Sequence, residues 1–323
     1  LHAQFRRQRQ MCIRDSDTHV AASSLDESNY WSKVGLLDGD SQNRGSVPLE
    51  DENVEILEEY TRAFSQPLST VNFNQGEYAN TGFTQWGASG LAVAWAEENT
   101  RESIFNAFRR KETFATTGTR IAVRFFGGFN LSSIDLDSES LVSDAYSKGV
   151  TMGSDLLSVD GQIPEFIVWA QKDKNGAPLQ RVQIIKGWVD MASGRPKEKI
   201  FDVACSDGLQ PDPNTNICPD NGAKVNISDC SISSNVGSSE LKTIWKDPEF
   251  VPENKSFYYV RVLENPTCRW STWDAIKSGY KPREDLHETI QERAWTSPIW
   301  FIPEESNVEV IPLGGTIQLR NID

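Results

Sequence analysis

Histidine is nearly absent from this chain. There are three in 323 residues, His2, His19 and His287, too few to build a His-rich metal cluster from the chain alone. Long apolar runs are missing as well: no stretch approaches the roughly 18 residues a membrane-spanning helix needs, so no membrane insertion is expected. Cysteine numbers five, and no two are spaced C-x-x-C, which weighs against a four-thiolate zinc site. Positive charge is short too, with 32 Lys and Arg against 46 Asp and Glu and a formal charge of -14. A surface of that sign repels nucleic acid and anionic lipid outside any local basic pocket. Neither an internal repeat nor a phosphate-loop glycine pattern occurs, and Gly127-Gly128 reads as a bend.

Residues 1–16 (LHAQFRRQRQMCIRDS) show no apolar period, no hydrophobic signal region and no small-residue cleavage site. They read as a non-native, adapter-like leader and are set apart from the fold. The remaining cysteines, Cys205, Cys218, Cys230 and Cys268, lie in the second half. Three of them punctuate a Pro/Asn/Asp/Gly-rich stretch that lacks core-forming residues. Two disulfides would staple it and imply an oxidising, periplasmic or extracellular compartment, with all three pairings open.

Asp17 to about Asn80 reads mostly as loop, interrupted by a short acidic amphipathic helix near Val54 to Phe64. Phe73 to Gly90, rich in Gly, Asn and aromatics, reads as a long connection or as the wall of a binding site. The clearest helix spans Thr100 to Lys111, with an N-cap at Asn99 or Thr100, Glu102 in its first turn, basic residues in its last, and Ile104, Phe105 and Phe108 as its apolar face. A turn at Thr116 to Thr119 leads into a strand at Ile121 to Phe126. Further strands are expected at Glu165 to Gln171, Arg181 to Trp188, Lys199 to Ala204, Phe257 to Glu264 and Ala294 to Ile302, with one more at Thr316 to Arg320. Asn175-Gly176 suggests a hairpin between the first two of these. Such spacing argues an antiparallel β-sandwich, whose core would take up Trp188, Trp245, Trp270, Trp273, Trp295 and Trp300, residues that could otherwise stack ligands.

One short motif bears on chemistry. Asp17-Thr18-His19 places two metal-capable side chains two positions apart, and on a strand a period of two points both the same way. His287, in a polar run, has no metal-type partner nearby in sequence and reads as a surface residue.

Three longer stretches carry a family resemblance: DTHVAASSLDESNYWSKVGLLDG from Asp17, WAEENTRESIFNAFRRKETFATTGTRIAVRFFGG from Trp95, and FYYVRVLENPTCRWSTWDA from Phe257 with QERAWTSPIWF from Gln291. Together they resemble the C-terminal half of a bacterial domain-of-unknown-function family, number three-six-zero-four, related to the polymerase-and-histidinol-phosphatase (PHP) metallohydrolases. The resemblance implies an α+β chain, with residues 17–131 a remnant of a PHP-like α/β barrel against which the Thr100 to Lys111 helix packs. Residues 132–323 would form the sandwich. It also implies a two- or three-metal centre (Mn, Fe or Zn) whose final Asp-x-His corresponds to Asp17 and His19, while the family's His-rich first half is missing from this sequence. The chain would then be a C-terminal fragment, inactive by itself, of a hydrolase that cleaves phosphoesters or related small anionic esters with metal-activated water. Arg120 and Arg269 are the expected donors to the ester's oxygens, since a planar guanidinium matches an oxyanion bidentately, though either could instead be a salt-bridge partner in so acidic a protein. Thr116, Thr117 and Gly118 could form an anion-binding nest or a plain turn. Glu97-Glu98 reads as a solvated helix start. The alternative function is a non-enzymatic sandwich module for binding or interaction.

Overall fold

A computed structural model describes residues 25–35, 38–63, 68–190, 193–304, 308–313 and 316–321. The leader, Asp17 and His19 lie outside the described residues. The described helices are α1 (Asp51–Ala63), α2 (Arg101–Arg110), α3 (Leu141–Lys148) and α4 (Trp270–Lys277). The strands in the first half are β1 (Thr70–Phe73), β2 (Gly76–Ala79), β3 (Leu91–Ala94), β4 (Thr113–Thr116), β5 (Ala122–Gly128), β6 (Gly149–Thr151) and β7 (Asp155–Leu157). Then come β8 (Glu165–Gln171), β9 (Leu179–Val189), β10 (Pro196–Cys205), β11 (Val225–Asn226), β12 (Ser231–Ile232), β13 (Glu240–Lys246) and β14 (Ser256–Glu264). The chain closes with β15 (Thr267–Cys268), β16 (Thr289–Ile290), β17 (Arg293–Thr296), β18 (Ile299–Ile302), β19 (Val308–Leu313) and β20 (Thr316–Asn321).

Two sheets carry the architecture, and the class is α+β. The larger runs β10-β9-β14-β17-β4-β3, with β18 beside β14 and β7 parallel to β18; the smaller runs β13-β8-β5-β6. Among the described residues neither closes into a barrel. Between them lies one apolar core, with Phe125, Phe166 and Val168 from the smaller sheet meeting Ile184, Tyr258, Val260 and Phe301 from the larger. Trp245 packs against this core from β13. Strands from before and after position 131 are joined in each sheet, β4 to β17 and β5 to β8. The sandwich therefore begins at β3, well before residue 132.

The uneven alternation of β5 has a physical cause. Val123 and Phe125 face the inter-sheet core, while Phe126 faces a second cluster on the outer side of the smaller sheet, where Leu141 and Ala145 of α3 cover it with Ile167. A strand covered on both faces shows no polar side to its sequence. Gly127-Gly128 is not a bend but the end of β5, paired with Val150 and Gly149. A Cβ on Gly127 would lie 3.1 Å from both Ile299 and Phe166, so glycine here permits close packing between the sheets.

Three other expectations are corrected. Asn175-Gly176 does not turn a hairpin, because β8 and β9 belong to different sheets and the loop crosses between them. The run Ala294 to Ile302 divides at Ser297-Pro298 into β17 and β18, which share β14 as neighbour. Proline has no N–H for the ladder, and at the break the Thr296 hydroxyl accepts from the Val260 N–H at 2.9 Å. In α2, Phe105 and Phe108 are exposed, and the helix instead buries Ser103 and Ala107. Thr100 caps it as expected, accepting from the Ser103 N–H.

The described residues between Leu25 and Gly90 fold back onto the excursion between β14 and β17. Gln75, in the turn between β1 and β2, exchanges hydrogen bonds with Lys281. Tyr30 stacks on Trp270 at 4.9 Å between ring centroids.

Candidate functional site

A cleft of about 360 Å³ opens at the end of the sandwich where the β4–β5 and β8–β9 crossovers pass between the sheets. Its walls are Leu25 to Ser28, Gly118 to Arg120, Asp173 with Asn175 to Ala177, the Cys230–Cys268 disulfide, Trp273, and the strand-end residues Glu264 and Glu292. Five carboxyl side chains, Asp26, Glu27, Asp173, Glu264 and Glu292, line it against one guanidinium, Arg120.

Strand parity places the central pair. Tyr258, Val260 and Val262 point inward along β14, and Glu264 follows at the same parity; Glu292 leads Ala294 and Thr296 in the same way. Arg293 pairs with Leu263, and the Glu264 N–H donates to the Glu292 carbonyl at 2.9 Å, so the two glutamates stand opposite each other. Cross-strand neighbours on one face have Cβ atoms about 4.5–5.5 Å apart.

Both carboxyls are buried, Glu264 with no exposed surface and Glu292 at 4%. Glu292 accepts from the Thr117 hydroxyl. Neither carboxyl oxygen of Glu264 has a hydrogen-bond partner at ordinary length, nor does the buried hydroxyl oxygen of Thr119. Burial pushes the Glu264 carboxyl up to about 8, helped by the nearby charges of Glu292 and Asp173 and against the Thr119 hydroxyl and the Lys172 charge. Burial likewise pushes Glu292 up to about 8, against the Thr117 hydrogen bond. Stripping water from a carboxylate disfavours its charged form, and a second carboxylate nearby adds to that cost.

The third buried glutamate is fully engaged. Glu27 accepts from the Ala88 N–H and from the Trp270 N–H, each at 2.6 Å. Trp270 opens α4, whose N-cap position holds Arg269 with no side-chain cap bond, so Glu27 caps that helix from a distant part of the chain. Burial raises its pKa, outweighing the lowering by those two hydrogen bonds and by the Arg269 charge.

Of the residues singled out from sequence, Arg120 reaches the cleft. It is exposed on the rim, and its backbone N–H donates to Asp173 at 2.7 Å. Arg269 is 8% exposed and does not line the cleft. Its guanidinium donates to the Thr84 and Trp86 carbonyls at 2.6 and 2.7 Å and to Ser271, pinning the aromatic-rich segment to the start of α4. Thr117 and Gly118 serve the cleft wall: the Thr117 N–H donates to the Arg293 carbonyl, and Gly118 packs against the Leu25 carbonyl. Glu97 caps around Ser103 at the exposed start of α2. Trp270 is buried, Trp273 lines the cleft, and His287 is exposed. Among the described residues, no group of three or more His, Cys, Asp or Glu is arranged to hold a metal ion.

Glu264 and Glu292 were missed from sequence, although a signal existed. Each is a carboxylate at an inward parity, Glu264 after Tyr258, Val260 and Val262 in β14 and Glu292 just ahead of Ala294 and Thr296 in β17.

The molecule is thus an α+β protein built on a two-sheet sandwich with an acidic cleft at one end. A family described as a protein of unknown function (DUF3604) matches residues 11–303, and the chain belongs to that family. No curated protein and no solved structure matches it.

Proposed function

We propose that this chain is part of a metal-dependent hydrolase acting on phosphoesters or related anionic esters, with the acidic cleft at its reaction centre. The observation that carries the reading is the origin of one cleft wall. Leu25 to Ser28 follows Asp17-Thr18-His19 in the chain after five intervening residues and packs beside Glu264 and Glu292. The donor chemistry of the motif fits: the carboxylate oxygens of Asp17 and the imidazole of His19 suit manganese, iron or zinc. Such an ion, when bound, supplies a water of lowered pKa and polarises the ester.

The chain's own residues supply the rest. A cleft lined by carboxyls offers an anionic ester no attraction by itself, so the substrate enters only against positive charge, and Arg120 on the rim is the protein's own contribution. The resemblance to PHP-type metallohydrolases supports the same reading. Two disulfides suit an oxidising compartment, in keeping with a periplasmic or secreted protein.

The test uses a chain that carries, ahead of residue 17, a His-rich segment of the kind the PHP resemblance implies. Metal content and turnover of p-nitrophenyl phosphate and sulfate are measured in that chain, then in Asp17→Ala and His19→Ala variants. Both variants are expected to lose metal and at least a hundredfold in rate. Unchanged metal content and rate in both would remove the reading.

A further inference from the structure

We propose that Glu264 and Glu292 form a binding site for a hard divalent cation of the magnesium or manganese class, separate from the Asp17-Thr18-His19 motif. The inference does not rest on the hydrolase reading.

The argument starts from what Glu264 lacks. Its side chain is completely buried, it lines the cleft, and no hydrogen bond of ordinary length reaches either of its oxygens, although the Thr119 hydroxyl lies close enough to lower its pKa. A buried carboxylate left without donors is costly, and proteins ordinarily satisfy such groups. The neighbours available are of the wrong kind. Glu292, across the strand pair, is another carboxyl, and Asp173 already accepts from the Arg120 and Asn175 N–H groups. Lys172, whose charge is felt at Glu264, spends its ammonium on the carbonyls of Asp173, Lys174 and Gly176. Arg293 directs its Nε to the Gln291 carbonyl.

What remains beside Glu264 is the Glu292 carboxyl and the Thr119 hydroxyl, a weak donor to Glu264 whose oxygen lacks a hydrogen bond of ordinary length. Two carboxylates and a hydroxyl, with space for waters, match the way magnesium is held, through one or two carboxylates with retained waters. Calcium, which takes six to eight oxygens, is served less well. Space is kept open by Gly176, where a Cβ would come within 2.9 Å of Glu264 Oε1. A cation here also answers the sign of the cleft, since it would offset the carboxyls that otherwise repel an anionic ligand.

The experiment uses the chain as it stands, carrying Asp17→Ala and His19→Ala so that the sequence motif contributes no ligand. Manganese binding is measured by calorimetry. Terbium luminescence excited through tryptophan, with Trp273 in the cleft wall as sensitiser, is measured with magnesium as competitor. The site predicts one saturable ion, terbium displaced by magnesium, and affinity at least tenfold weaker in both Glu264→Gln and Glu292→Gln. Near-ultraviolet circular dichroism checks that these near-isosteric variants keep the fold, and Thr119→Val provides a milder loss that leaves both carboxyls in place. Absence of saturable binding in the starting chain overturns the proposal. So does binding as tight in either glutamine variant as in the starting chain. Neither result bears on the hydrolase reading, which stands or falls on Asp17 and His19.

Discussion

The guanidinium of Arg44 holds the carboxylate of Asp274 by two parallel hydrogen bonds, Nε to Oδ2 at 3.0 Å and Nη2 to Oδ1 at 2.8 Å, across 230 residues of sequence. The pair is buried, at 5% and 11% side-chain exposure. Arg44 also lies over the rings of Tyr30 and Trp270 and donates to the Trp31 and Asp38 carbonyls. Ser46 adds a third hydrogen bond to Asp274 at 2.7 Å. One arginine thereby ties residues 30–46 to α4, and with them the cleft wall at Leu25 to Ser28.

Removing one partner of such a pair leaves the other buried and uncompensated. Arg44→Ala and Asp274→Ala are each expected to lower stability by about 3–5 kcal/mol. Arg44→Lys should recover only part of this, because a lysine supplies neither the planar fork nor the ring stacking. Urea unfolding of the variants measures it, and a loss under 1 kcal/mol in Arg44→Ala would show that the clamp is dispensable.

Glu264 and Glu292, each held up to about 8, give stability a definite pH dependence. An unfolded glutamate titrates near 4.3, so between that pH and about 8 the folded state binds more protons than the unfolded state. Stability from this source is complete below about pH 4.3 and is lost as pH rises towards 8. Glu264→Gln cannot ionise. Measured in chelator, its melting temperature should exceed that of the parent at pH 9 and should fall less steeply from pH 5 to 8.5. Parallel curves for the two proteins would refute this.

Gly118 has φ +139°, and a Cβ there would overlap the Leu25 carbonyl oxygen. Gly118→Ala must therefore bear backbone strain of about 1–3 kcal/mol and push the Leu25 to Ser28 wall away. The expected signs are a lower melting temperature and faster proteolysis near Leu25. Gly161, also at positive φ but with open space around its would-be Cβ, is the control in which only the conformational part of the cost appears.

The Cys230–Cys268 disulfide closes a separation of 38 residues and Cys205–Cys218 one of 13. By loop-closure entropy these stabilise by about 4 and about 3 kcal/mol respectively. Cys230→Ser with Cys268→Ser should cost more than the double serine variant of the shorter loop, as read by urea unfolding. The longer bridge also forms part of the cleft, so its loss should weaken ligand binding there while the shorter one's loss should not.

Much of the fold was legible because burial in a sandwich imposes local patterns. The strand at Glu165 to Gln171 was bounded correctly, since its apolar run from Phe166 to Ala170 lies between two polar ends, Glu165 and Gln171. The helix capped by Thr100 was legible from its cap and charges, but its orientation was not. Phe105 and Phe108 made the most apolar stripe, yet the contact available to α2 takes the smaller Ser103 and Ala107. The short strands β3, β6 and β7 were invisible, being only three or four residues long and defined by their partners.

Local chemistry fixed the strand parity that turns Glu264 and Glu292 inward, the cap of α2, the even cysteine set and the excess of negative charge. Those follow from neighbours two to four positions apart, where backbone geometry alone decides which side chains share a face. Tertiary structure decided which strands meet, that both sheets begin before residue 132, that Arg269 is consumed by two carbonyls, and that Glu264 faces Glu292 across a cleft walled by residues far away in sequence. The reason is physical: pairing between remote strands and the desolvation of a carboxyl depend on what the rest of the chain brings alongside, which no local window contains.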